Sequence, residues 1–185
     1  AWQAPEIRQA LKERYLRQQP SRVGIPNYVS LRRLLALADD TLQWARRQPS
    51  CSNHELAARL VREIFDWFFC LRGGTSSDVF LEKSPSHSLC AERILRAFPT
   101  CKLVHVLRDG RDVCVSMQMR SLTAEWSPQL REQQIEMWLR YVSAVNRLTA
   151  AAEFTGRIHT VKYEDLHRDT ETELTRLLRF AGLDC

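Results

Sequence analysis

The chain has 185 residues, of which 44% are hydrophobic and 26% are charged, as is usual for one globular domain. Its formal net charge is +5, but its 23 Arg and 4 Lys are spread along the whole chain, without the basic cluster of a nucleic-acid-binding protein. No stretch approaches the roughly 20 apolar residues of a membrane span, and the six cysteines lack zinc-site spacing. A moderate positive net charge suits a protein that binds an anionic ligand.

The first third of the chain has the apolar periodicity of helices. Apolar residues recur at helical spacing over 5–17 and over 30–47. Ser52 or Asn53 is expected to cap a third helix, which runs to about Leu71.

Strands and helices alternate in the remaining residues. The predicted strands are 78–83, 102–107 and 157–163. The predicted helices are 86–97, a helix that begins near Arg111, 128–155 and 170–181. Strands separated by helices imply an α/β fold with a parallel sheet and helices on its faces. Because no repeat or linker interrupts the chain, 1–185 is predicted to be one domain.

Polar groups gather where the strand over 102–107 gives way to a helix. Arg108 closes the strand at its carboxyl end, where open α/β sheets bind their ligands. Ser116 and Arg120 are four residues apart and share a face of the following helix. Two guanidinium groups, a hydroxyl and a helix N-terminus suit a phosphate. The alternative is that both arginines are solvated surface residues.

Two further strand ends carry candidate site residues. Glu82 and Lys83 follow an apolar run, where a lysine can stabilise the charge that develops on a transferring group. They can equally form a solvated ion pair that ends a strand. Tyr163 closes the last predicted strand, a position at which tyrosines often only pack at an interface. Glu164 and Asp165 are expected to cap and bond the following turn rather than act as an acid–base pair.

Three segments of the chain resemble, in order, motifs of sulfotransferases that use 3′-phosphoadenosine 5′-phosphosulfate (PAPS). R-D-G-R-D-x-x-x-S (108–116) is similar to the 3′-phosphate-binding segment, E-K-S-P (82–85) to the family's E-K-[ST]-P motif, and Y-E-D-L (163–166) to its strand-plus-helix element. The resemblance covers roughly the last 110 residues. It is strongest to the branch of tyrosylprotein sulfotransferases and their bacterial relatives.

The resemblance implies a role for five residues. Lys83 matches the catalytic lysine at the sulfuryl group, and Tyr163 matches an additional nucleotide contact. Arg108, Ser116 and Arg120 match the 3′-phosphate contacts. The implied fold is a helix-rich, three-layer parallel sheet of the P-loop nucleoside triphosphate hydrolase type. The implied donor is PAPS, and no metal is expected.

The chain departs from the family at the glycine loop that cradles the 5′-phosphosulfate. None of its six glycines lies in a G-[ST]-x-x-L loop ahead of the first helices, so the first strand and this loop are expected to be missing. The sulfotransferase domain is therefore expected to be incomplete at both ends, and its isolated activity is in question. No general base is identified, although His87 beside the E-K-S-P turn is a candidate.

The expected reaction is transfer of a sulfuryl group from PAPS to a hydroxyl acceptor, which is a protein tyrosine, a carbohydrate or a small molecule. One alternative is a non-catalytic relative that binds nucleotide or acts as an interaction domain. Another is a small-molecule P-loop kinase, although the chain has no G-x-x-x-x-G-K-[ST] motif. Neither nucleic acid nor a membrane span is expected. The Arg-rich composition favours the cytoplasm, whereas a eukaryotic tyrosylprotein sulfotransferase relative would lie in the Golgi lumen. Oligomeric state is left open.

Overall fold

The computed structural model describes residues 4–17, 29–48, 50–75, 78–124 and 127–183. By its internal contacts the chain divides into two units, Ala1–Glu82 and Lys83–Cys185. Whether the two units form the predicted single domain stays a prediction, and each unit is described by itself.

The first unit is built from three helices. They are α1 (Ala4–Arg17), α2 (Leu31–Arg46) and α3 (Asn53–Leu71). They bury a core of Tyr15, Val29, Leu34, Leu37 and Ile64.

Ser52, rather than Asn53, caps α3. The Ser52 hydroxyl accepts from the Glu55 amide at 3.2 Å, while the Ser52 amide donates to the Glu55 carboxylate at 2.7 Å. This reciprocal capping box satisfies two amides at the helix start, which have no partner within the helix. It explains why α3 begins where it does.

The predicted strand over 78–83 is wrong, because these residues have no regular secondary structure. The Asp78 carboxylate instead accepts from the Thr75 amide at 2.7 Å and closes a turn. Phe80 stacks on Phe65 of α3 with ring centroids 4.7 Å apart, whereas Leu81 is 85% exposed. An apolar run becomes a strand only where a neighbouring strand bonds its backbone, and no described segment pairs with this one.

The second unit combines helices with a small parallel sheet. Its strands are β1 (Leu103–Leu107) and β2 (Ile158–Lys162), paired in parallel from Leu103 opposite Ile158 to Leu107 opposite Lys162. Its α-helices are α4 (Ala91–Ala97), α5 (Gly110–Ser121), α6 (Arg131–Thr149), α7 (Tyr163–Arg168) and α8 (Thr170–Ala181). The structure is thus helix-rich α/β, with two parallel strands among the described residues instead of the three expected.

Two predicted helices of the second unit begin or end differently. Over 86–97, a short 3₁₀ helix (Pro85–Cys90) precedes α4. The long predicted helix over 128–155 ends as α6 at Thr149 and is followed by a 3₁₀ turn, Ala152–Phe154. By contrast, α8 has the predicted bounds, and Gly182 ends it at φ 81°, the left-handed conformation that glycine adopts at helix ends.

Arg157 ties the start of the sheet to the end of α4. Its guanidinium donates to the carbonyl of Leu95 at 2.9 Å, of Phe98 at 2.7 Å and of Cys101 at 3.0 Å. Its own carbonyl accepts from the Leu103 amide at 2.9 Å, next to the first pair of the sheet. One side chain thereby provides hydrogen bonds to three carbonyls between the last turn of α4 and the start of β1.

Replacing Arg157 with alanine is expected to lower the free energy of unfolding of the second unit by about 2–4 kcal/mol, because hydrogen bonds from a charged donor contribute about 1.5–3 kcal/mol each. Urea unfolding followed by circular dichroism measures the loss. Arg93→Ala, on the exposed surface of α4, is the matched control and should stay within about 0.5 kcal/mol of the unchanged protein. Equal losses in the two variants would contradict this role of Arg157.

None of the helices in the described ranges combines the length and the apolar character that a membrane span requires.

Candidate functional site

The parallel register brings Arg108 and Tyr163 to the same edge of the sheet. Leu107 pairs with Lys162, so the next residue of each strand leaves the sheet at the same level. The guanidinium carbon of Arg108 lies 4.9 Å from the centre of the Tyr163 ring, a cation–π contact. Tyr163 is 43% exposed, so solvent reaches this edge.

Helix α5 adds three polar side chains to this edge. Asp112, Ser116 and Arg120 follow one another at intervals of four residues and therefore share one face of the helix. The Nη2 atom of Arg108 lies 3.8 Å from a carboxylate oxygen of Asp112. Arg108 thus stands at the first turn of the face that carries Ser116 and Arg120, both of which are exposed.

The Arg108 side chain is only partly satisfied. Its Nε atom is buried and has no hydrogen-bond partner in the part of the chain that the structure describes. A buried donor without a partner is uncommon in folded proteins, and a bound ligand is one way to satisfy it.

The turn between β1 and α5 is held from outside by two side chains. The indole Nε1 of Trp138 donates to the Arg108 carbonyl at 3.2 Å. The Asp109 amide donates to the Glu164 carboxylate at 2.8 Å. By its place in the long predicted helix over 128–155, Trp138 is expected to be a core residue, and Glu164 is expected to bond the turn after the last predicted strand, so neither contact was predicted. The contact of Glu164 could have been predicted from the parallel pairing of the two strands, because residues 109 and 164 both follow strand ends at the same edge.

Gly110 is needed here for space rather than for a turn conformation. It is the first residue of α5, and its φ is not positive. A Cβ atom built on it would lie 3.0 Å from the Trp138 ring, closer than nearly all real Cβ contacts. Trp138 therefore packs directly on the backbone of the turn.

Asp109 caps α5 and carries the strongest electrostatic perturbation at this edge. Its carboxylate accepts from the Arg111 amide at 2.8 Å and from the Arg111 guanidinium at 2.6 Å. These bonds to Arg111 lower the pKa of the Asp109 carboxyl to about 2. The bond from the Asp109 amide lowers the pKa of Glu164 as well.

We expect the Asp109 carboxyl to titrate near pH 2 in carbon-detected NMR, well below its usual value of 3.8. Because the folded pKa is depressed, the stabilisation from this cap is present above pH 3.8 and is lost as the pH falls through about 2. In Arg111→Ala the midpoint should move back toward 3.8, since the first cause of the shift is removed. An unchanged midpoint in that variant would contradict the assignment.

None of the hydrogen bonds, ion pairs and ring contacts described at this edge involves Lys83. It is exposed and opens the second unit, two residues before the 3₁₀ helix that packs against α6. His87 lies within that helix and is half-buried. Within the described residues no hydrogen bond or ion pair joins Lys83 to Arg108 or Tyr163. The described residues also contain no group of three or more His, Cys, Asp or Glu side chains that could hold a metal ion.

The sequence matches the profile of the Sulfotransferase family over residues 4–185. The match includes the helical first unit, whereas the three motifs lie only in the later part of the chain. No curated protein and no solved structure gives a significant match. A helix-rich α/β structure with parallel strands is consistent with the P-loop-like fold of such enzymes. The chain belongs to the sulfotransferase family.

Proposed function

We propose that this protein transfers a sulfuryl group from PAPS to a hydroxyl acceptor, and that the edge formed by β1, β2 and α5 binds the 3′-phosphate of the donor. Membership of the sulfotransferase family supports a transferase that uses PAPS. The observation that carries the phosphate assignment is the buried, unpartnered Nε of Arg108 at the start of the α5 face on which Ser116 and Arg120 are exposed.

The chemistry of the side chains fits a phosphate dianion. Arg108 and Arg120 provide planar sets of N–H donors that match phosphate oxygens, and the Ser116 hydroxyl adds a third donor. Tyr163 supports the Arg108 guanidinium on its ring, so Arg108 is oriented before the ligand arrives. Asp112 holds one end of that guanidinium at 3.8 Å, a contact weak enough for a phosphate to replace.

Lys83 is the proposed catalytic residue. PAPS supplies the sulfuryl group, whose bond to the 5′-phosphate oxygen breaks as a bond to the acceptor oxygen forms. Negative charge then develops on the bridging oxygen, and an ammonium group at that point lowers the barrier. The acceptor hydroxyl must lose its proton to a base, for which His87 is the candidate nearest to Lys83 in the sequence.

The proposal includes the fold: we propose that the two strands are part of a three-layer parallel sheet of the P-loop type. Helices α5 and α6 lie in the connection between the two parallel strands, as in sheets of that type. The acceptor class stays open among protein tyrosines, carbohydrates and small molecules.

Calorimetry with 3′-phosphoadenosine 5′-phosphate, adenosine 5′-phosphate and ATP tests the binding half of the proposal. The bisphosphate should bind at least about tenfold more tightly than the monophosphate, because the 3′-phosphate adds charge-assisted hydrogen bonds. A preference for ATP would support a kinase and contradict the proposal. Binding of none of the three would contradict a nucleotide site altogether.

A further inference from the structure

One peptide group at the candidate site is held on both sides by side chains distant in the sequence. The Arg108 carbonyl and the Asp109 amide belong to the same peptide bond. Trp138 Nε1 donates to that carbonyl at 3.2 Å, and Glu164 accepts from that amide at 2.8 Å. Because a peptide group is planar, bonds to both of its ends fix its rotation about the chain.

The same two segments also hold the flanking groups. The Trp138 ring covers Gly110, the residue after Asp109, so closely that a Cβ atom there would lie 3.0 Å from the ring and force it to shift. Tyr163, the neighbour of Glu164, supports the Arg108 guanidinium at 4.9 Å. Tyr163 therefore contacts the Arg108 side chain, and Glu164 bonds the backbone turn that follows Arg108. Arg108 is the residue that the proposed function assigns to the 3′-phosphate.

The start of α5 needs a hydrogen-bond acceptor from outside the helix, and Glu164 provides it. Asp109 is the cap of α5, and its amide is among the first helical amides, which have no acceptor within the helix. Glu164 supplies a carboxylate to it, which is a stronger acceptor than water or a neutral amide. Without this bond the turn would lose that restraint on the direction in which Arg108 leaves β1.

We propose that Glu164 and Trp138 are positioning residues that orient Arg108 for the 3′-phosphate by clamping the peptide between Arg108 and Asp109. The proposal rests on the proposed function, since it assigns the clamp to that same phosphate site. Neither residue needs to touch the nucleotide.

The test uses the full chain and two readouts. The first is the ratio of dissociation constants for adenosine 5′-phosphate and 3′-phosphoadenosine 5′-phosphate, measured by calorimetry. Glu164→Ala and Trp138→Phe should each lower this ratio about tenfold, because a misplacement of about 1 Å in a positioned group can cost up to about a hundredfold. Glu164→Gln retains an acceptor and should lower it no more than about threefold.

The second readout is hydrogen exchange of the Asp109 amide, followed by NMR without ligand. Exchange should be faster in Glu164→Ala and close to unchanged in Glu164→Gln, while β-sheet amides exchange at the same rate in both. Glu171→Ala on the exposed face of α8 and Trp44→Phe in α2 are the matched controls and should change neither readout.

The outcomes separate this inference from the function on which it rests. If the unchanged protein prefers the bisphosphate and Arg108→Ala removes that preference, but Glu164→Ala and Trp138→Phe keep it, the clamp is overturned and the function stands. If the unchanged protein shows no preference, both are overturned. Unaltered exchange at Asp109 in Glu164→Ala also overturns the clamp.

Discussion

Arg108→Ala should weaken binding of 3′-phosphoadenosine 5′-phosphate about a hundredfold, because loss of one or two hydrogen bonds from a charged donor costs about 2–3 kcal/mol. Binding of adenosine 5′-phosphate should change less than about threefold, since that ligand lacks the group that Arg108 is proposed to hold. The buried Nε of Arg108 and its support on Tyr163 are the structural reasons to expect a single dominant contact. Calorimetry with the two nucleotides measures both effects.

Arg93→Ala is the control for this experiment, because Arg93 is an exposed arginine of α4 outside the candidate site. It removes the same charge and should leave both affinities unchanged. Equal losses for the two nucleotides in Arg108→Ala would remove the assignment of Arg108 to the 3′-phosphate. That result would mean that Arg108 attracts anions in general and does not bind the 3′-phosphate specifically.

Lys83→Met should lower the rate of sulfuryl transfer by about 10²- to 10³-fold, the usual effect of removing one donor from a developing negative charge. Methionine keeps most of the length of the side chain but removes its charge and its N–H donors. Affinity for adenosine 3′-phosphate should stay within about twofold, because this ligand lacks the 5′-phosphate oxygen that Lys83 is proposed to stabilise. Transfer of radiolabelled sulfuryl to a hydroxyl acceptor, or to water when no acceptor is added, gives the rate.

Lys12→Met, on the exposed face of α1, is the matched control for the loss of a lysine charge. A rate in Lys83→Met equal to that of the control would show that Lys83 is not catalytic. If affinity for adenosine 3′-phosphate falls as far as the rate, Lys83 binds the 3′-phosphate half of the nucleotide instead of acting on the transferring group.

Elements with strong local signals could be predicted from the sequence. Helix α8 has the predicted bounds because a polar start, an amphipathic stripe and Gly182 lie within one short segment. Ser52 was one of two caps predicted for α3, and the capping box with Glu55, three residues later, is the local interaction that decides between them. In both cases the interactions that decide the boundary are local.

The failed strand prediction concerned a segment whose structure depends on distant partners. The run over 78–83 has the composition of a strand, but no described segment pairs with it, and Phe80 packs on α3 instead. A short apolar run is ambiguous in periodicity alone. Helix α7 was missed for a similar reason, since its six residues are too few to show a helical stripe.

The candidate site was predictable only in its outline. The positions of Arg108 and Tyr163 at strand ends follow from local pattern, and the structure places both at one edge of the sheet. The bonds of Trp138 and Glu164 to the peptide at Arg108 join residues 30 and 55 positions apart in the chain. No periodicity or motif spacing encodes such bonds, so they become visible only once the strands are paired.

The most direct test of the 3′-phosphate site is a pH titration of the bound bisphosphate by phosphorus NMR. The second ionisation of a free phosphate monoester lies near pH 6, and cationic neighbours lower it by about one unit or more. We predict that the 3′-phosphorus of the bound nucleotide titrates at least about one unit lower than in free solution, and that Arg108→Ala largely restores the free value. A 3′-phosphorus that titrates as in free nucleotide, with any shift confined to the 5′-phosphorus, would contradict the assignment.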